Sequence, residues 1–365
     1  MSRPTAVLAL AAMLASCAPS LGQPFMEARA AAERSYSAGR YDEAARHWQE
    51  AARVARRQRD RTEARYRRAV SLRRAGRTNE AKAELTALVH DRPKSERATR
   101  AAFDLADMEI ESGDRAQGFE LLEAAVRAHP GFGLSAESLA RLVRFRQDQG
   151  GQVQALAYLD RMRRLFEKTE LGEQALFQYA RELDGADRDE QALSTYLEVA
   201  RRYPYPEGAL WDDALWYAAK VEERLGRPKQ AVAHLERMLK EREPSSLQGS
   251  YERPRYAAAR YHIAELYRDA LGDHARARRE FHRVWSEHTT SLLRDDALWN
   301  EARLAQQDGD QDEACSLLEQ MVSKAADSRY AACVQALCPR ITPAKGECHA
   351  YVVRALQPEP EPETP

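Results

Sequence analysis

The feature that most constrains this chain is a glycine-centred turn that returns at an almost constant interval. It reads Gly-Arg-Tyr-Asp-Glu-Ala from Gly39, Gly-Arg-Thr-Asn-Glu-Ala from Gly76 and Gly-Asp-Arg-Ala-Gln-Gly from Gly113, with further copies at Gly150, Asp187, Gly226, Gly272 and Gly309. Five of the seven intervals are 37 residues, and those ending at Gly226 and Gly272 are 39 and 46. A fixed period in this range marks an array of stacked helical hairpins, in which each unit buries its apolar face only against its neighbours. Such an array presents surface rather than an enclosed cavity. The first expectation is therefore binding and not catalysis.

Around Gly309 the apolar residues Ala297, Leu298, Ala302 and Leu304 precede the turn, and Ala314, Leu317, Leu318 and Met321 follow it. Their three- and four-residue spacing predicts an amphipathic helix on each side. Small residues stand seven before and five after the turn position: Ala32 and Ala44, Ala69 and Ala81, Ala106 and Gly118, Ala219 and Ala231, Ala302 and Ala314. They let the two helices approach, while glycine accepts the left-handed backbone that ends the first. Nine residues past the turn a bulky side chain fills the hairpin: Trp48, Leu85, Leu122, Leu159, Tyr196, Leu235, Phe281 and Leu318. Pro93, Pro130 and Pro204 stop second helices at matching places.

On these residues the chain resembles the tetratricopeptide repeat (TPR) family over residues 25–326. The resemblance implies an all-α fold, a right-handed TPR superhelix of about eight helical hairpins with a C-terminal helical cap. The period of 37 instead of 34, the weak copy at Gly150-Gly151 with Val143 at a small position, and an insertion from Glu243 to Pro254 depart from the family pattern. The insertion reads as a surface loop. One continuous solenoid without a domain break is expected.

The first residues carry an apolar run from Ala6 to Ala15, too short to span a bilayer and suited to the core of a signal peptide over residues 1–16. The following Leu-Ala-Ser-Cys resembles a bacterial lipobox. That resemblance implies acylation of Cys17, a covalent lipid being the one non-protein group expected and no other cofactor. With Ala18 after the cysteine, it implies an outer-membrane protein facing the periplasm. Residues 17–24 form a tether, whose eight residues reach at most about 28 Å. The sequence calls for no other membrane-crossing stretch.

Hydrophobic residues make up 44%, charged residues 31%, and the formal net charge is −1, so no global charge draws the chain to nucleic acid. The other four cysteines, Cys315, Cys333, Cys338 and Cys348, lie near the C-terminus, an even number in an exported chain, which favours two disulfides. Helices over Asp310 to Ala325 and Ser328 to Cys338 would form a hairpin pairing Cys315 with Cys338 and leaving Cys333 for Cys348, on a last helix from Cys348 to Leu356. A one-turn change in those boundaries gives Cys315–Cys333 and Cys338–Cys348. No Cys-x-x-Cys is present, so no metal is assigned. A disulfide-bearing cap over residues 327–356 is expected to close the array, followed by a Pro/Glu tail over 357–365 without order.

None of the nine histidines sits at a ligand spacing, and no catalytic motif is present. The pairs Glu111-Ser112 and Glu137-Ser138 invite comparison with lytic transglycosylases, but both fall inside repeats. Asp212-Asp213 and Asp295-Asp296 read as helix-opening acids that cap amides.

Two surfaces remain. Ten residues before the turn position stand Tyr66, Phe103, Phe177, Trp216, His262 and Trp299, and four residues on come Arg181, Lys220 and Arg303. By family resemblance these positions line a groove, where rings and cations on one stripe would hold an extended peptide. From Arg53 to Arg77 eleven arginines face two acids. This basic patch, carried by Arg56, Arg57, Arg61, Arg65 and Arg68, suits anionic headgroups or an acidic partner. The reading is a non-enzymatic, lipid-anchored scaffold that binds envelope proteins or extended peptide segments, with neither nucleic acid nor a small-molecule substrate as partner. BamD-type lipoproteins of the β-barrel assembly machinery are distantly similar. An accessory role in peptidoglycan remodelling or cell division, or a degenerate lytic-transglycosylase-like superhelix, is the alternative.

Overall fold

The structure, a computed structural model, describes residues 21–241 and 255–356. The expected signal peptide, Cys17, the start of the tether, the 243–254 loop and the 357–365 tail lie outside them. The described residues hold α-helices and no strand: α1 (Gln23–Ser37), α2 (Tyr41–Val54), α3 (Gln58–Arg74), α4 (Thr78–Asp91), α5 (Glu96–Ser112), α6 (Arg115–Ala128), α7 (Ser135–Leu165), α8 (Gly172–Asp184), α9 (Asp189–Arg202), α10 (Trp211–Arg224), α11 (Pro228–Lys240), α12 (Arg255–Glu265), α13 (His274–Glu287), α14 (Arg294–Gln307), α15 (Gln311–Lys324) and α16 (Ala350–Arg354). By packing the chain divides into two compact units, one ending at Ala175 and the other beginning at Leu176, within α8.

Each predicted turn joins two helices, and the reason is visible in the backbone. The turn residue has positive φ at Gly39 (74°), Gly76 (77°), Gly226 (71°) and Gly309 (84°), and the next residue's N–H donates to the carbonyl four residues before the turn glycine: Arg40 to Ser35 (2.9 Å), Arg77 to Leu72 (2.9 Å), Arg227 to Glu222 (2.8 Å), Asp310 to Ala305 (2.8 Å). This closes the first helix with a Schellman-type bond, for which glycine carries no steric penalty. Asp187 adopts the same conformation at φ 54°, which aspartate tolerates better than most residues. Where aspartate follows the turn, its carboxylate caps the second helix: Asp114 accepts from the Gln117 N–H at 3.1 Å and Asp273 from the Arg276 N–H at 2.9 Å.

The small positions serve close packing. Ala32, Ala44, Ala69, Ala81, Ala302 and Ala314 are fully buried. At Gly118 a methyl group would stand 2.5 Å from Ile110 Cγ1 and 2.6 Å from its backbone nitrogen, so α5 and α6 touch where nothing larger fits. The fourth hairpin differs: α7 runs through its own turn, with non-helical Gly150 and Gly151 inside it, and the left-handed residue is Gly151, one later than the period predicts. Val143 is nonetheless buried there, as are Ala155 and Leu159.

Between Glu265 and Gly272 the helix widens into a π-turn over Leu266–Ala270. The extra residue shifts the small position to Ala264, which is fully buried and clusters with Ala277 and Phe281. His262 is thereby moved out of register with the other ten-before positions, and Tyr261 takes that place.

The C-terminal segment departs most from expectation. Gly346 has φ 133° and follows Gly309 by 37 residues, so the period runs on, yet residues 328–338 form no α-helix. They turn tightly, with only a 3-10 turn at Val334–Ala336, because Pro339 and Pro343 interrupt what would be a ninth first helix. Ala331, Val334, Leu337 and Ile341 bury themselves on Leu298, Trp299, Leu318 and Met321. Cys315 bonds to Cys338 and Cys333 to Cys348, with Cα atoms 5.4 and 4.7 Å apart. The pairing expected from a helical hairpin is thus present on a segment that is not one.

Candidate functional site

First helices of neighbouring repeats touch, α3 against α5 and α10 against α12. Much of the aromatic stripe is used in that contact. Tyr66 donates its hydroxyl to Asp104 Oδ2 at 2.7 Å, under the Arg97 guanidinium 5.0 Å from the ring centre. Burial, then the Asp104 charge, raises the Tyr66 phenol to about 12. The same contact recurs where Asn300 Nδ2 donates to the Tyr261 hydroxyl at 2.9 Å. Asp104 and Asn300 both stand nine before their turn glycines, a polar position that the sequence reading passed over.

Besides Tyr66, which is 7% exposed, two further expected groove residues are interior. Phe103 is 1% exposed and packs on Phe132, and Trp299 is 3% exposed and stacks on Tyr330 with ring centres 4.9 Å apart. They face neighbouring structure because a flat ring on a first helix gains more area against the next repeat than against water. Phe177 and Trp216 are half-buried. Phe177 lies 5.8 and 6.0 Å from Tyr196 and Tyr217, with Arg181 over the Tyr217 ring at 4.1 Å. Trp216 meets His262 at 5.8 Å, and Lys220 lies 3.1 Å from Glu223 and 3.0 Å from His262 Nε2. His262 also meets Glu223 at 2.9 Å and Glu265 at 3.1 Å.

Each unit has a cleft between its own first helices. The first, of about 500 Å³, is walled by Tyr36, Tyr66, Val70, Arg74 and Arg100. The second, of about 590 Å³, is walled by Tyr261, Arg268, Asn300, Arg303 and Gln307. Within it Arg268 is held by Asp269 at 2.6 Å and by Asn300 at 2.9 Å. No hydrogen bond or ion pair engages Arg303 among the described residues, and burial, then the Arg268 charge, lowers its pKa.

The basic patch is not a free cationic surface. Arg65 pairs with Glu84 at 2.7 Å and with Asp91 at 2.8 Å, Arg68 with Glu84, and Arg57 with Asp60 at 2.5 Å. Arg61 donates to the Ala55 carbonyl at 2.9 Å, and Arg56 is also engaged. Glu84 and Asp91 of α4, which a count along residues 53–77 leaves out, neutralise part of this charge. Three of the paired aspartates bridge repeats: Asp213 pairs with Arg255, Asp296 with Arg329, and Asp295 accepts from Ser328 at 2.6 Å.

Glu111 pairs with Arg73 at 2.6 Å, and Glu137 is exposed in the first turn of α7. Among the described residues no group of His, Cys, Asp and Glu could hold a metal ion, and no helix is long and apolar enough to cross a membrane.

The family model described as "Tetratricopeptide repeat" matches residues 63–95, 213–246, 258–291 and 296–328. No curated protein matches the chain. Similar solved structures include the C-terminal part of a TPR repeat-containing protein from Cytophaga hutchinsonii (12% identity, 73% of this chain, 98% of that one, TM-score 0.44). Others are PilF of Pseudomonas aeruginosa (20%, 64%, 94%, 0.38) and YrrB, described as a TPR protein with an unusual peptide-binding site (15%, 56%, 93%, 0.36). Four repeat matches on a chain of paired helices make this an all-α protein carrying tetratricopeptide repeats.

Proposed function

We propose that this protein is a non-enzymatic scaffold that docks extended segments of partner proteins along its first-helix face. The observation that supports it is the placement of the two clefts, each between first helices of consecutive repeats and each walled by a tyrosine beside guanidinium groups. Rings offer apolar contact at low entropic cost, and arginine donors suit the carbonyls and carboxylates of an extended chain. The partners belong to the cell envelope, and an acylated Cys17 holds the chain at the outer membrane facing the periplasm. The apolar run from Ala6 to Ala15 ahead of Leu-Ala-Ser-Cys supports this address.

Selection of a random-peptide display library on the full chain tests the docking face. Val70→Glu with Gln307→Glu, at unchanged helicity, should cut peptide retention at least tenfold; equal retention would refute the reading. Labelled palmitate should enter the wild-type protein in cells and be lost in Cys17→Ser, and a wild-type protein without label overturns the anchor.

A further inference from the structure

In the cleft between α12 and α14 one charged side chain has no hydrogen bond or ion pair among the described residues. Glu265 is taken by His262 at 3.1 Å, Arg268 by Asp269 at 2.6 Å, and His274 by Asp308 at 2.7 Å. Arg303 has no such partner among the described residues, although it is half-buried. A guanidinium that has lost part of its water without gaining an acceptor costs free energy. Its planar fork of donors matches a carboxylate, which it can hold through two parallel bonds. The wall also sets the charge of the guest. Glu265 and Asp269 stand against Arg268 and Arg303, so the cleft is near neutral: a single negative charge fits, and a doubly charged phosphoryl group meets two acids.

We infer that Arg303 is a specificity-determining residue of the docking face and takes the side-chain carboxylate of an Asp or Glu within a peptide segment of a partner protein. This rests on the docking function proposed above. A side chain, not a chain end, is the guest because the face continues on both sides of the cleft. Trp216 of α10 meets His262 at 5.8 Å on one side, and Tyr330 stacks on Trp299 on the other, so a peptide laid along the face passes across the cleft. Gln307, on the same wall, supplies a neutral amide for its backbone.

The test selects an amidated random-dodecapeptide library on the full chain and on Arg303→Gln, followed by anisotropy titration of the recovered peptides. The expected result is enrichment of Asp or Glu at one internal position on the wild type. Replacing that residue by Asn or Gln should weaken binding about tenfold on the wild type and not on Arg303→Gln. Acid enrichment that is equal on both proteins overturns the inference, as does peptide binding with no acid preference; in both cases the docking face itself stands. Retention of no peptide by either protein overturns the docking function as well. A selection that depends on a free C-terminal carboxylate, in a parallel library left unamidated, overturns the side-chain assignment. Arg303→Gln should melt at or above the wild-type temperature, and a clear loss would show that Arg303 is bonded within the fold.

Discussion

Glu301 should make this fold less stable as pH rises across neutrality, and Glu301→Gln should remove that dependence. The carboxyl lies on α14 with its side chain 7% exposed, 3.2 Å from His282 Nδ1. Burial, reinforced by Glu313 and opposed by Arg278, raises its pKa from 4.5 to about 8. The folded chain therefore keeps a proton that the unfolded chain has released between those two values, so stability is greatest at the acid side and falls with rising pH. Each pH step in that window costs up to about 1.4 kcal/mol, so moving from pH 5.5 to 8.5 should cost the wild type about 3 kcal/mol at most. Glutamine keeps the shape and a hydrogen bond without the charge. The assay is urea unfolding of wild type and variant at both pH values, followed by tryptophan fluorescence, with Trp285 and Trp299 in the same apolar cluster as the α14 core. Taking the variant-minus-wild-type difference cancels the titrating groups that do not interact with Glu301. A difference that is equal at pH 5.5 and 8.5 would refute the burial argument.

Other outcomes follow from the same geometry. Gly118→Ala should destabilise the chain by about 1–3 kcal/mol in denaturant titration, since the added methyl meets backbone that cannot move aside. Removing the Cys333–Cys348 bridge, which closes a sequence separation of 15, should cost roughly 3 kcal/mol in unfolding free energy, and an unchanged unfolding midpoint would count against a stapling role. Tyr66→Phe should cost about 1–3 kcal/mol by leaving buried Asp104 short of a donor, measured as a lower melting temperature. The Cys17→Ser chain should show little salt-dependent binding to vesicles of anionic phospholipid in sedimentation, because Arg57, Arg65 and Arg68 already pair with Asp60, Asp91 and Glu84; strong binding that weakens as salt rises would contradict this.

The repeat was legible because its determinants are local. A left-handed turn, two small residues and a bulky one at fixed offsets depend on a few neighbouring positions, and a 37-residue period repeats them until chance is excluded. The insertion of one residue into the seventh hairpin was not legible, since a π-turn and a longer loop leave the same count along the chain. Nor was the loss of the ninth hairpin, where a correct period meets prolines that forbid a helix.

The sequence by itself determined that this chain is an array of paired helices, because each hairpin is specified within its own few turns. Which arginines are spent on carboxylates, which rings are buried and that the half-buried Arg303 is left without an acceptor among the described residues were decided only in three dimensions. Those outcomes depend on side chains some 20 to 40 residues away in the chain, such as Glu84 beside Arg65 and Tyr330 beneath Trp299, brought together by stacking.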